Sequence, residues 1–391
     1  MFTQWISAFD TGARRDIIEN YLKFKQKNER RGSQIVLFTS VSLLRLMDRI
    51  MLFYNDLGLQ EGFTAKVEMA CFQAWLVNNT ELAAEIQNSA TPRPDNLTEI
   101  LLITQASQYE YVERKDIFSQ IMFSKSFFDY LSGNIDFKPY LTEFLACKNL
   151  KSSSQYLRAL TEVYMMGAGE GFSFRLTPAN QFLKSLFDSF TLPIPNEDQR
   201  RERPLKANDP DFKAFRVSPL VRIDENSYYI LHHNFFVDKL YKGLLFDFFK
   251  ETSIHKRFRD FPAFLQILGS EFAEKNIFYE YVSGWFGKNS YVIKVPGDRY
   301  PNIECTDFYV REGKSIFLFE FKNALVSTAV KQSMDYQTIE QEIFKKLVRN
   351  ERGKPKGVTQ LLKVIKDLVS KPFPFDDFVA KGSDAYIFIH C

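Results

Sequence analysis

Along the first half of the chain, apolar residues recur at helical spacing through Ile17 to Phe24, Leu43 to Tyr54, Val67 to Leu76, Ile117 to Leu131 and Leu157 to Met166. That period places one side of each helix against a core. Breakers fall between them: Gly58, then Thr91-Pro92-Arg93-Pro94-Asp95-Asn96, then Gly133-Asn134. No self-similar period runs through these segments, so the pattern does not support a helical repeat array. Leu192-Pro193-Ile194-Pro195-Asn196, the charged run Glu197 to Arg203, Pro204 and Asn208-Asp209-Pro210 follow. Prolines and charge with few apolar residues mark an exposed connector. Beyond it, Val217 to Ile223 and Tyr228 to His232 flank Asp224-Glu225-Asn226 as a hairpin, and a helix rich in Phe and Leu covers Phe235 to Phe249.

The last segment changes character. A helix over about Phe261 to Val282 precedes three strands: Tyr291 to Val295, Ile303 to Val310 and Ser315 to Asn323. A long helical region interrupted near Gly353-Lys354-Pro355 leads to a last strand, Ala385 to His390. The order is α-β-β-β-α-β. The pattern therefore predicts an α/β chain in three parts: a mainly helical domain over 1–192, a linker, hairpin and connecting helix over 193–253, and a strand-bearing domain over 254–391.

Composition changes this picture little. The 391 residues exceed one usual domain, and 40 phenylalanines predict an aromatic-rich core. A net charge of +3 is too small to mark the whole protein as nucleic-acid-binding. Cys71, Cys147, Cys305 and Cys391 match no disulfide or zinc spacing, which predicts a reducing, cytoplasmic setting. Met1-Phe2-Thr3-Gln4-Trp5 starts no signal-peptide pattern. The apolar stretch Ile35 to Leu59 is broken by Arg45, Asp48, Arg49 and Asp56, so no membrane span is expected.

The chemistry concentrates on strands two and three of the last segment. With Glu312-Gly313 as central turn residues, Asp307 lies opposite Leu318 and diagonal to Glu320. Period two puts Asp307, Leu318, Glu320 and Lys322 on one face. The other face carries Phe317, Phe319 and Phe321, so a strand buried on both sides ends in a Glu and a Lys. Unpaired buried charge is costly, and such a placement calls for a cation or a substrate. Hard carboxylate oxygens suit Mg2+, and Mn2+ is expected to substitute.

These residues resemble the PD-(D/E)XK nuclease superfamily: Asp307 in Ile303-Glu304-Cys305-Thr306-Asp307, then Glu320-Phe321-Lys322 after the apolar strand. The usual proline before the Asp is absent, with Pro301 nearby. The resemblance covers roughly residues 254–391. It implies a restriction-endonuclease-like core with a mainly helical amino-terminal domain, and a Mg2+-dependent endonuclease, a hydrolase of phosphodiester bonds. Asp307 and Glu320 would then be metal ligands and Lys322 the catalytic lysine. The family's helix glutamate corresponds to Glu274 or Glu271 in Gly269-Ser270-Glu271-Phe272-Ala273-Glu274-Lys275, where the spacing is off by about one residue; Glu274 is favoured. Gln360 in Gly357-Val358-Thr359-Gln360-Leu361-Leu362 matches the glutamine some branches carry near the site. DNA stands ahead of RNA as the implied substrate, and defence against foreign, including viral, DNA as the implied role.

Lys345, Lys346, Arg349, Arg352, Lys354 and Lys356 surround a single acid, Glu351, and are the candidate nucleic-acid-binding residues. The helical half is the candidate surface for a protein partner or a second copy of the chain. A rival reading keeps the fold without catalysis, as a nucleic-acid-binding or protein-interaction scaffold. Gly167-Ala168-Gly169-Glu170-Gly171 lacks a following Lys-Ser/Thr and is no phosphate loop. The four histidines lie away from the cysteines and predict no metal or triad chemistry.

Overall fold

A computed structural model describes residues 15–16, 18–20, 22–23, 26, 40–53, 72–81, 97–112, 115–167, 173–193, 212–287, 292–300, 306–322, 326–331, 333, 335–370, 372–378 and 385–390. The connector expected near 194–211 and the glycine-rich stretch after Gly167 lie outside these residues.

The fold is mixed α/β. The helices are α1 (Ser40–Phe53), α2 (72–81), α3 (Leu97–Val112), α4 (Ile117–Gly133), α5 (Lys138–Cys147) and α6 (Ser153–Gly167). Strand β1 (Ser173–Arg175) and helix α7 (Lys184–Ser189) follow. Next come α8 (Lys213–Val217), β2 (Leu220–Arg222), β3 (Ser227–Ile230), α9 (His233–Asp238) and α10 (Lys242–Glu251). The single helix expected over Phe235 to Phe249 is thus two. Between them Lys239 turns inward, 1 % exposed, to the carboxylate of Asp247 at 2.9 Å.

The hairpin β2–β3 forms as the Asp224-Glu225-Asn226 turn predicted, and β1 pairs with the far side of β3. One apolar cluster then runs from Ile117 through Phe128, Phe187, Tyr228 and Phe248 to Phe272. The core therefore crosses residues 192 and 254, where the sequence pattern put domain boundaries. Much of it is aromatic: Phe127 meets Phe248 edge-on at 5.6 Å, Phe128 meets Tyr156 edge-on at 5.7 Å, and Phe144 lies tilted 5.8 Å from Phe248. Such edge contacts add to plain area burial.

Helix α11 joins this core to the second. It begins as an α-helix (Phe261–Ile267), continues as a π-helix (Leu268–Phe278) and ends as an α-helix (Tyr279–Trp285). Phe264, Leu268 and Phe272 face the first core, while Phe278, Tyr279 and Val282 face the second. The stripe of four-residue steps ends at Phe272, and the helix turns a different side to the second core within the π segment.

The second core surrounds a sheet of order β4-β5-β6-β7, with β4 (Val292–Pro296), β5 (Phe308–Glu312), β6 (Ser315–Phe321) and β7 (Ala385–His390). The first three strands are antiparallel and β7 lies parallel to β6. Between β6 and β7 run α12 (Thr328–Lys331), α13 (Tyr336–Leu347) and α14 (Gly357–Ser370). Ile316 and Leu318 of β6 pack on Leu361, Val364 and Leu368 of α14, while Phe319 packs with Phe278, Tyr279 and Val282 of α11. The alternation of β6 thus fills a helix-covered face on each side, which explains its nearly unbroken apolar run. Among the described residues, no helix is long and apolar enough to cross a membrane.

Candidate active site

Pairing in the β5–β6 hairpin runs Glu312↔Ser315 through Phe308↔Phe319, so Gly313 and Lys314 make the turn, with Gly313 at φ +60°. That corrects the expected register by two residues. Continued one step, it sets Asp307 opposite Glu320 rather than Leu318. A two-residue slip preserves the face, since side chains alternate with period two. Asp307, Leu318, Glu320 and Lys322 therefore keep the common face read from the sequence.

Asp307 sits one residue before β5, half-buried, and its Oδ2 accepts the backbone N–H of Phe321 at 2.7 Å. Glu320 is 2 % exposed, and Lys322 Nζ donates to its Oε1 at 2.5 Å while lying 4.0 Å from Asp307 Oδ2. One ammonium thus serves two carboxylates. Burial, then the charge of Glu320, pushes the Asp307 carboxyl up to about 7, against the opposing pull of Lys322 and the Phe321 N–H. Burial also raises Glu320, with Lys322 opposing.

The two candidate helix glutamates part company. The charge of Glu274 is felt at both Asp307 and Glu320, and its Oε1 accepts the hydroxyl of Tyr279 at 2.8 Å. Glu271 is exposed and accepts the hydroxyl of Tyr130 on α4 at 3.0 Å. Gln360 turns back on its own helix, its Oε1 accepting the Gly357 N–H at 2.7 Å. Among the described residues no hydrogen bond joins Gln360 to the carboxylates.

Five of the six candidate nucleic-acid-binding residues, Lys345, Lys346, Arg352, Lys354 and Lys356, line one cleft of about 450 Å³ together with Glu342 and Glu351. Arg349 is not among its lining residues; its backbone pairs with Pro355 across the loop. Lys346 pairs with Glu342 at 3.2 Å and Lys345 with Glu351 at 3.7 Å. The loop is held by the Asn350 side chain, which accepts the N–H of Arg352 and of Lys354. Gly353 turns it at φ +73°.

Two further residues outside the candidate set, Gly297 and Tyr279, shape the site. Gly297 donates its N–H to the Asp307 carbonyl at 2.8 Å, and a Cβ there would lie 2.9 Å from the Thr306 carbonyl oxygen. Tyr279 reaches Glu274 from five residues on, a separation that in an α-helix points away. The Pro296-Gly297-Asp298 turn was a visible signal; the π turn left none.

The donor chemistry fits a hard divalent cation: two oxygen ligands from facing carboxylates whose mutual repulsion a cation would relieve. Among the described residues, no group of three or more His, Cys, Asp or Glu is arranged to hold a metal. An ion here would rest on the two carboxylates, water and a substrate phosphate, the usual habit of Mg2+. Comparisons with known protein families, curated proteins and solved structures return no match.

Proposed function

We propose that this chain is a divalent-metal-dependent endonuclease that hydrolyses phosphodiester bonds in nucleic acid, DNA ahead of RNA. The observation that carries the reading is the Asp307–Glu320 pair at the end of the β5–β6 hairpin, with Lys322 bonded to Glu320 and 4.0 Å from Asp307. In this reading Asp307 and Glu320 are the protein ligands of Mg2+, with Mn2+ able to replace it. When bound, the ion supplies an activated water and neutralises charge on the phosphate. Lys322 orients that water and shares the charge that builds on the phosphate oxygens. The Phe321 N–H holds Asp307 in place through Oδ2, freeing Lys322 to stay with Glu320. The basic cleft of Lys345 to Lys356 takes the nucleic-acid backbone by neutralising phosphates, without reading sequence.

The resemblance to PD-(D/E)XK nucleases supports the same assignment, and it is the ground for placing DNA first. A helical body packed onto such a site suits a protein that restrains or directs cleavage, and defence against foreign DNA is the role we assign it. The test incubates purified protein with supercoiled plasmid, single-stranded DNA and RNA, in Mg2+, Mn2+ or EDTA. Metal-dependent cleavage is expected in the wild type and a loss of about 10²–10³-fold in Glu320→Gln and Lys322→Ala. Cleavage of none of the substrates, or cleavage indifferent to both substitutions, overturns the proposal.

A further inference from the structure

The cleft at the end of α13 gathers cations from two directions. Lys345 and Lys346 come from the last turn of the helix, and Arg352, Lys354 and Lys356 from the loop that folds back on it. That loop is a small hairpin. Arg349 bridges Pro355 antiparallel, the Lys356 N–H donates to the Val348 carbonyl at 2.8 Å, and the Asn350 N–H donates to the Lys354 carbonyl at 3.0 Å. The Gly353 N–H closes the turn on the Asn350 carbonyl at 2.9 Å, and the Thr359 hydroxyl adds a second bond to the Val348 carbonyl at 2.8 Å. The carbonyls of Val348, Asn350 and Lys354, which would repel an anion, are thus occupied within the loop.

The charges are unevenly matched. Lys346 has Glu342 as a partner and Lys345 has Glu351, whose exposure makes that pair weak. Among the described residues, no carboxylate pairs with Arg352, Lys354 or Lys356. Arg352 and Lys354 are exposed and Lys356 is half-buried, so all three heads are open to a ligand.

The shape decides what kind of anion suits them. A duplex carries about one charge per 1.7 Å of its axis, and a surface that follows it spreads its cations to match. Here Glu342 to Lys346 span only about 6 Å of helix, and five cations converge on a cleft of about 450 Å³, the size of a small-ligand pocket. The densest charge a nucleic acid offers is a terminal phosphate. A monoester presents three acceptor oxygens and a charge of about −1.5 to −2 near neutral pH, against about −1 for each phosphate within a strand.

We propose that this cleft is a phosphomonoester site that takes the phosphorylated end of a nucleic-acid strand. The proposal rests on the nucleic-acid reading of the cleft and names the part of the strand it holds. The fixed hairpin presents Arg352, Lys354 and Lys356 already in place, so little ordering is needed when the phosphate arrives.

The test is fluorescence anisotropy with one labelled oligonucleotide made with a 5′-phosphate, a 3′-phosphate or hydroxyls at both ends. It is run in EDTA so that no cleavage intervenes, with wild type and an Arg352→Ala/Lys354→Ala double variant. A phosphate at one end is expected to tighten binding to wild type about tenfold. The double variant is expected to reduce that advantage to less than about twofold, with the melting temperature unchanged because both side chains are exposed. Equal affinity for all three oligonucleotides, or an advantage the double variant keeps, overturns this proposal. So does a nucleoside monophosphate that binds while the phosphorylated oligonucleotides show no advantage, which would assign the cleft to a free nucleotide. In each of these cases metal-dependent cleavage in wild type leaves the nuclease reading standing; absence of both binding and cleavage overturns the two together.

Discussion

Two partly buried charge clusters in this molecule are balanced in opposite ways. In the helical body Glu110 of α3 faces three cations: Arg216 at 2.8 Å, Lys242 at 3.3 Å and Lys331 at 2.5 Å. Burial pulls its carboxyl up, yet the three cations win and hold it far below the usual range. At the end of β6, two carboxylates share one lysine, and both are pushed up instead. Glu110 ties α8, α10 and α12 to α3, so its charge is neutralised in excess and used for structure. The Asp307–Glu320 pair is left short of positive charge, as a site that awaits a cation would be.

That contrast predicts opposite outcomes when each charge is removed. Asp307→Asn should cost about 10²–10³-fold in metal-dependent cleavage while leaving the melting temperature unchanged or raised, since it removes a repulsion. A drop in both would place Asp307 with the structural charges. Glu110→Gln should do the reverse, costing about 1–3 kcal/mol in chemical denaturation because three partly solvated cations lose their shared partner. Stability within about 0.5 kcal/mol of wild type would show the hub to be dispensable.

The two clusters also predict opposite pH dependence of metal-free stability. Asp307, raised from 3.8 to about 7, binds its proton more tightly when folded. Its contribution is therefore full below about 4 and lost as pH rises towards 7, with a slope of up to about 1.4 kcal/mol per pH unit. Glu110, depressed, contributes above its unfolded value of 4.5 and loses that contribution as pH falls below it. Urea unfolding across pH, in wild type and in Asp307→Asn and Glu110→Gln, separates the two: each substitution should flatten only its own window. A smaller effect is expected at Gly297. Adding a Cβ 2.9 Å from the Thr306 carbonyl in Gly297→Ala should cost about 1–3 kcal/mol and slow cleavage by shifting Asp307. Normal kinetics would show that the β4 clamp does not set the carboxylate.

Much of the second core was legible because its elements carry strong local signals. The last strand appears over Ala385–His390 as expected, after a helical region interrupted near Gly353-Lys354-Pro355. The site face was legible too, and it survived a wrong turn assignment because Glu312 pairs with Ser315 and a slip of two cannot change faces. What stayed hidden depends on tertiary constraint. The π turn in α11 lies where the helix passes from one core to the other, and no local preference announces it. The same holds for β1, three residues that become a strand only by finding β3 across the connector. The charge hub at Glu110 joins residues as far apart as Lys331, and neither has a neighbour in sequence that hints at the other.

The central claim is that Asp307 and Glu320 form an under-neutralised pair built for a divalent cation. The most direct measurement is the shift in melting temperature on adding Mg2+ or Mn2+ to wild type, Asp307→Asn and Glu110→Gln, because a ligand that binds only the folded state raises its stability. The account predicts a rise in wild type and in Glu110→Gln, and none in Asp307→Asn. An equal rise in all three, or no rise in wild type, would contradict it.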